Sequence, residues 1–140
     1  MTLLEIANAL RSEVVTLAAS APASFDGFIA HDNIIEGNDV LSTGKVFGAT
    51  AVIWSDNEKI EAPQVGTHRQ TGLLQLTFKV ATNKGDAAIL GVAEYFYAAL
   101  SSRTLTSGVV MSAAQVVSRG VINGWYDVIV SCPFEADTIR

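Results

Sequence analysis

The groups able to carry covalent or acid–base chemistry are few. His31 and His68 are the only histidines, and Cys132 the only cysteine, in 140 residues. Neither histidine stands at metal-ligand spacing from another His, a Cys or a carboxylate cluster, as a zinc site requires. Cys132 lies in an alternating apolar stretch directly before Pro133. A nucleophilic thiolate needs an electropositive, partly exposed setting, so Cys132 reads as a buried small hydrophobe. Gly37 and Gly44-Lys45-Val46 superficially resemble a phosphate loop. Six residues part those glycines where the motif has four, and Val46 stands where a Ser or Thr would reach the magnesium ion. A Gly-x-Ser-x-Gly elbow is missing. Glu135 and Asp137 fall in a short terminal tail, and not on the rigid scaffold that would hold a working carboxylate pair. The expectation is a protein with no catalytic residue, no metal and no cofactor, hence not an enzyme.

A second set of residues suits surface recognition. Arg69-Gln70 sits between Gly66 and Gly72, and Gln75 follows at an outward strand position. Arginine is enriched at interfaces because its planar fork of donors binds bidentately. The alternative reading is a solvated strand end. Trp125 and Tyr126 are adjacent in a strand pattern, so alternation sends them to opposite faces. One of the two looks away from the core, where a large aromatic serves as an interface anchor. Arg69, Gln70, Gln75, Trp125 and Tyr126 are therefore the candidate interface residues.

The elements that must position them can be read from periodicity. Leu74, Leu76, Phe78 and Val80 alternate with Gln75, Thr77 and Lys79, the pattern of a half-buried strand. Asn83-Lys84-Gly85 is turn chemistry, and Asp86 suits the N-cap of a helix. That helix buries Ile89, Val92, Ala93, Phe96 and Leu100 at helical spacing. At the N-terminus, Thr2 and Glu5 fit a capping box, and Leu3, Ile6, Ala7, Leu10, Val14 and Leu17 form one stripe over residues 2–19. Residues 25–45 read either as a loop pinned by one or two hydrophobes or as a short strand near Phe28–Ala30 or Asn33–Glu36. Residues 45–54 read as a strand, and Ser55–Glu58 as a polar break. Residues 114–119 form a further strand, Asn123-Gly124 a turn, and residues 125–133 the last strand, ended or placed at an edge by Pro133. The fold class that follows is α+β: a mostly antiparallel β-sheet with an N-terminal helix and a central helix packed on one face. Residues 1–140 suit a single domain.

Composition narrows the partners. Apolar residues make up 49% of the chain, enough for a proper core, but charged residues are only 16%, against a typical ~25%. The surface must then be polar and uncharged, or partly buried in a partner. The net charge is −5, which argues against a dedicated nucleic-acid module with its basic stripe. Residues 20–63 hold seven acids and two bases, and the rest holds seven of each. The whole acidic excess thus belongs to that one segment. No apolar run reaches the ~18 residues of a membrane span. Glu5 and the lack of a basic start do not fit a signal peptide, so assembly in a cytoplasm is expected.

The run Gly66-Thr67-His68-Arg69-Gln70-Thr71-Gly72-Leu73-Leu74-Gln75-Leu76, followed about ten residues on by Gly85 and a helix, resembles the middle motif of a family of small proteins of tailed phages. The run from Asn123-Gly124-Trp125-Tyr126 to Asp137 resembles that family's C-terminal strand and tail. These are the tail terminator-like proteins, in the structural class of the lambda tail terminator. The resemblance covers the N-terminal helix, residues 66–100 and residues 120–137, and does not extend over residues 25–62. It implies a virion structural protein: a homo-oligomeric ring, commonly a hexamer, that caps the tail tube, stops its polymerisation and offers a surface for head–tail joining. The implied partners are further copies of the chain, the major tail tube protein and a head-completion or neck protein. DNA enters only as cargo passing through the lumen. In such a ring the acidic segment 20–63 would face the lumen, solvent or the neck. A head–tail connector of the same virion is the alternative, and a small-ligand-binding or hydrolytic α+β domain is a third reading.

Overall fold

The computed structural model describes residues 2–31, 34–35, 45–59, 67–81, 86–122 and 124–139. Helix α1 spans Leu3–Ala18 and helix α2 spans Ala87–Leu100. The strands are β1 (Phe25–His31), β2 (Ile34–Ile35), β3 (Val46–Lys59), β4 (Thr67–Ala81), β5 (Val110–Met111), β6 (Gln115–Ile122) and β7 (Trp125–Ile139). They form one sheet in the order β2-β1-β3-β4-β7-β5, with β6 also paired to β7. All pairings are antiparallel except β1 with β3. The fold is α+β, with both helices on one face.

Local chemistry explains the helices. The Thr2 hydroxyl accepts from the Glu5 amide at 3.1 Å, and Glu5 Oε2 accepts from the Thr2 amide at 2.7 Å. This reciprocal box satisfies two of the donors that a helix start leaves free. Asp86 occupies the N-cap of α2 but makes no side-chain capping bond. That helix is held instead by its buried stripe of Ile89, Val92, Ala93, Phe96 and Leu100. Tyr95 Oη donates to the Leu17 carbonyl at 2.6 Å, tying α2 to the end of α1.

The core lies between the helices and the even-numbered positions of the central strands. Leu74, Leu76, Phe78 and Val80 of β4 meet Val128, Val130, Cys132 and Phe134 of β7, all buried. Phe25, Phe28, Phe78 and Phe96 form an aromatic cluster with centroids 5.1–6.1 Å apart. Gly48 gives it room: a Cβ there would stand 2.9 Å from the Phe28 ring.

Three strands are longer than the sequence suggests. The polar run from Gly66 to Gly72 reads in the sequence as a loop leading into a strand; β4 already begins at Thr67, paired to β7 throughout and to β3 except at Thr67 and Thr71. Gly72 lies inside β4. Its added Cβ would lie 2.6 Å from both the Ile53 carbonyl oxygen and the Phe134 ring, so it is a glycine of close packing. β3 passes through Ser55–Glu58 with an irregularity between Trp54 and Asn57, and does not break. β7 continues past Pro133 to Ile139, so the expected tail is strand. The Pro133 carbonyl accepts from Ser112 N at 2.8 Å. Its missing N–H therefore faces the gap between β5 and β6 and leaves the β4 ladder whole. The uncertain segment resolves in part into β1 and β2. The readings of Gly37 and Gly44, and four of the seven acids of residues 20–63 (Asp32, Glu36, Asp39 and Glu61), fall outside the described residues.

Candidate assembly interface

The sheet has a second face. Odd-numbered residues of β4 and β7, with Phe47, Ala49, Ala51 and Ile53 of β3, point away from the helices. At one end of this outer face lies Arg69, whose Nε stands 3.4 Å from Asp137 Oδ1, both side chains about half exposed. At the other end Lys79 Nζ donates to Asp127 Oδ2 at 2.9 Å, beside the ring pair Trp125–Phe47 (5.3 Å, 83°). Asp127 is 1% exposed, and its Oδ1 has no hydrogen-bond partner among the described residues.

Between these ends, three successive rows cross the sheet without a charged side chain. Ile53, Leu73 and Pro133 make the first, Ala51, Gln75, Ser131 and Gln115 the second, and Ala49, Thr77, Ile129 and Val117 the third. All are half-buried or exposed. A patch this poor in charge is typical of interface cores and not of solvated surface.

The five candidate residues divide by strand parity. Arg69, Gln75 and Trp125 stand on the outer face. They are strung out over about 40 Å, given ~3.4 Å per strand residue, and do not form one cluster. Trp125 is thus the outward aromatic. Tyr126 packs against the core and its Oη lies 3.0 Å from Ser118 Oγ. Gln70 is a correction: it is 4% exposed, with Nε2 donating to the Thr71 carbonyl at 3.0 Å. Its even position turns it to the helix side, so it offers nothing to a neighbouring subunit. The sequence reading missed the Lys79–Asp127 pair, because its partners are 48 positions apart and meet only through strand register. It also missed that β6 is an edge strand exposed on both faces, although Val116-Val117 and Val121 within a polar run were a visible sign.

Cys132 is fully buried, and its thiol donates to the Ser112 carbonyl at 3.2 Å. Burial pushes its pKa up to about 11. A cleft of about 300 Å³ lies between the Arg69 end of the sheet and the loop before β5, lined by Arg69, Ser107, Glu135 and Asp137 among others. Among the described residues no group of three His, Cys, Asp or Glu side chains is placed to hold a metal ion, and no helix is long and apolar enough to cross a membrane.

No family model matches the chain, and no curated protein matches it. A solved structure that carries no functional name superposes on the whole chain at a TM-score of 0.67 and 13% identity, covering 100% of this chain and 96% of the other. That likeness is one of fold.

Proposed function

We propose that this chain is a virion structural protein of the tail terminator kind, forming a ring that caps the tail tube, stops its polymerisation and provides the surface for joining the head. The observation that carries the reading is the outer sheet face: three rows without charge, uncovered by any described residue, on the strands that hold both family-like motifs. Arg69 and Gln75 on β4 and Trp125 on β7 come from stretches 50 residues apart in sequence, yet lie on directly paired strands. A ring needs one surface of each subunit to meet a different surface of the next, with a rotation that closes. The outer face and its rim supply such a surface. The partners are copies of the chain, the tail tube protein and a neck protein, with DNA passing through.

The test is tail morphology. Tails assembled without this protein should carry overlong tubes when examined by electron microscopy, and adding the purified protein to polymerising tube subunits should shorten them. Tails of normal length that fail to join heads would assign the protein to the head–tail connector instead. In the purified protein, Arg69→Ala with Gln75→Ala should weaken ring assembly in sedimentation while the circular dichroism spectrum of the monomer stays unchanged.

A further inference from the structure

Helix α2 lacks a polar face. Of its 14 residues only Glu94 is charged, and its buried stripe from Ile89 to Leu100 accounts for one side. The opposite side is built on Leu90, Glu94 and Tyr97, with Gly91 and Ala98 between them, and all five are exposed. Leu90 is 41% and Tyr97 39% exposed. Helix α1 differs, because Glu5, Asn8, Ser12 and Thr16 interrupt its exposed side. A helix that is apolar all round belongs to an interior, and α2 is enclosed on one side alone.

The bare stripe of α2 and the outer sheet face lie on opposite sides of the subunit. The buried stripe of α2 joins the core formed by the inner faces of β4 and β7, so Leu90 and Tyr97 point away from the sheet. The three uncharged rows point the other way. The charges beside the two surfaces differ in sign. Along α2 stand two exposed acids, Asp86 at the N-cap and Glu94, and the helix holds no base. At the β6 border of the outer sheet face stands Arg119, exposed and without a partner among the described residues.

We propose that the exposed stripe of α2 in one copy of this chain packs on the three uncharged rows of the outer sheet face in the next. This deepens the ring reading and rests on it, by naming the two surfaces that meet. Helix on sheet is also how each subunit builds its own core. A sheet-to-sheet contact would close as a dimer and leave α2 bare. A helix-to-helix contact would bring the Asp86 and Glu94 pairs of two copies together and leave the rows bare. Packing α2 on the sheet covers both surfaces, sets acids toward Arg119, and leaves one surface of each kind for a further copy, the head-to-tail arrangement a ring requires.

The experiment is sedimentation velocity of the full chain over a concentration series, with a thermal melt of each variant. Leu90→Lys breaks the helix surface, and Thr77→Lys breaks the third row of the sheet surface. Both positions lie outside the buried core, so both variants should melt with the wild type. Each alone should raise the assembly midpoint roughly tenfold or more, because an unpaired ammonium would be buried at the contact. Mixed one to one below those midpoints, the two should form heterodimers and stop there. The intact helix of the Thr77→Lys chain then meets the intact sheet of the Leu90→Lys chain, while the other contact is broken on both sides. Glu94→Arg and Gln75→Lys replace any variant that melts early, with the same results expected. Helix variants that assemble like the wild type, or a mixture without heterodimers, would overturn the helix-on-sheet contact and leave the ring reading standing. A wild type that stays monomeric at every concentration would overturn both.

Discussion

One strand has two different neighbours. On its helix side, β4 presents Leu74, Leu76, Phe78 and Val80, none more than 1% exposed. On its outer side it presents Leu73, Gln75, Thr77 and Lys79, all half-buried. The backbone is the same and the residues interleave, so the difference lies in what each face meets. The inner face meets two helices, and from Leu74 to Val80 every side chain on it is apolar and buried. The outer face meets nothing among the described residues, yet the three rows between its two ion pairs carry no charge. A face built only to be wet would carry lysines and glutamates, and these three rows carry none. The comparison teaches why the outer face is the ground for the proposal: it is poor in charge and the described residues leave it uncovered, as befits a second packing surface.

The sharpest way to break the comparison is to truncate neighbouring residues on opposite faces. Phe78 is fully buried and stacks on Phe96 at 5.3 Å, with Phe25 and Phe28 at its edges. Phe78→Ala should lower unfolding stability by about 3–5 kcal/mol, the usual loss for a core aromatic. Thr77→Ala, one residue earlier, should change it by no more than about 0.5 kcal/mol, as for other surface sites. Urea denaturation of both variants checks this. Equal losses would mean that the outer face is core already in the isolated subunit.

The two ion pairs that end the outer face give the next largest effect. Lys79→Ala would leave Asp127, 1% exposed, without its cation. Breaking a buried pair costs about 3–5 kcal/mol; the Lys79 side chain is itself 34% exposed, so a loss nearer 2–3 kcal/mol is expected, read from the urea midpoint. Adding Asp127→Asn should recover part of it, because the buried charge is then gone. A loss below about 0.5 kcal/mol would show that Asp127 is served by solvent, as at a surface pair.

Much of the inner face was legible in the sequence, and the reason is physical. A covered face imposes its period on the residues that line it, so the stripes of α1 and α2 and the alternation of β4 and β7 announce the core. The capping box at Thr2 and Glu5 is local in the same way. The outer face left a weaker trace. Its three rows are assembled from four strands, and only register, a long-range property, brings Ala49, Thr77, Ile129 and Val117 together. Of the candidate residues, alternation put Trp125 and Tyr126 on opposite faces, and only the parity of β7 decides that Trp125 is the outer one. Gln70 was not legible in this way, because the polar run from Gly66 to Gly72 reads as a loop where the strand is already running and parity already applies. Pro133 misled for a related reason: whether proline ends a strand depends on which side its missing N–H faces, and that requires knowing the neighbours.

Gly72 lets the two faces be compared at a single residue. Its Cβ would point to the helix side, 2.6 Å from the Ile53 carbonyl oxygen and from the Phe134 ring. The ring can move, but the carbonyl belongs to the β3 ladder. Gly72→Ala should therefore cost about 1–3 kcal/mol as an overpacking substitution, although alanine has the better strand entropy. An unchanged urea midpoint would mean that β3 yields at its irregularity beyond Trp54.

The smallest effect on stability belongs to Arg69, and it is the most informative about use. Its contact with Asp137 is single and long, at 3.4 Å, between side chains 41% and 52% exposed. An exposed pair of this kind contributes about 0–1 kcal/mol, so Arg69→Ala should leave the monomer's melting temperature almost unmoved. A guanidinium has five donors, and the contact with Asp137 engages only Nε. If the outer face meets a neighbouring subunit, the remaining donors stand at its rim, where a charge alters association rate and salt dependence more than packing. Arg69→Ala should then slow ring assembly most at low ionic strength, with the difference from wild type shrinking as salt rises past about 0.15 M and screening shortens the reach of the charge. A salt-independent assembly rate, identical to wild type, would place Arg69 away from the contact and confine the outer face's part in the interface to the uncharged rows.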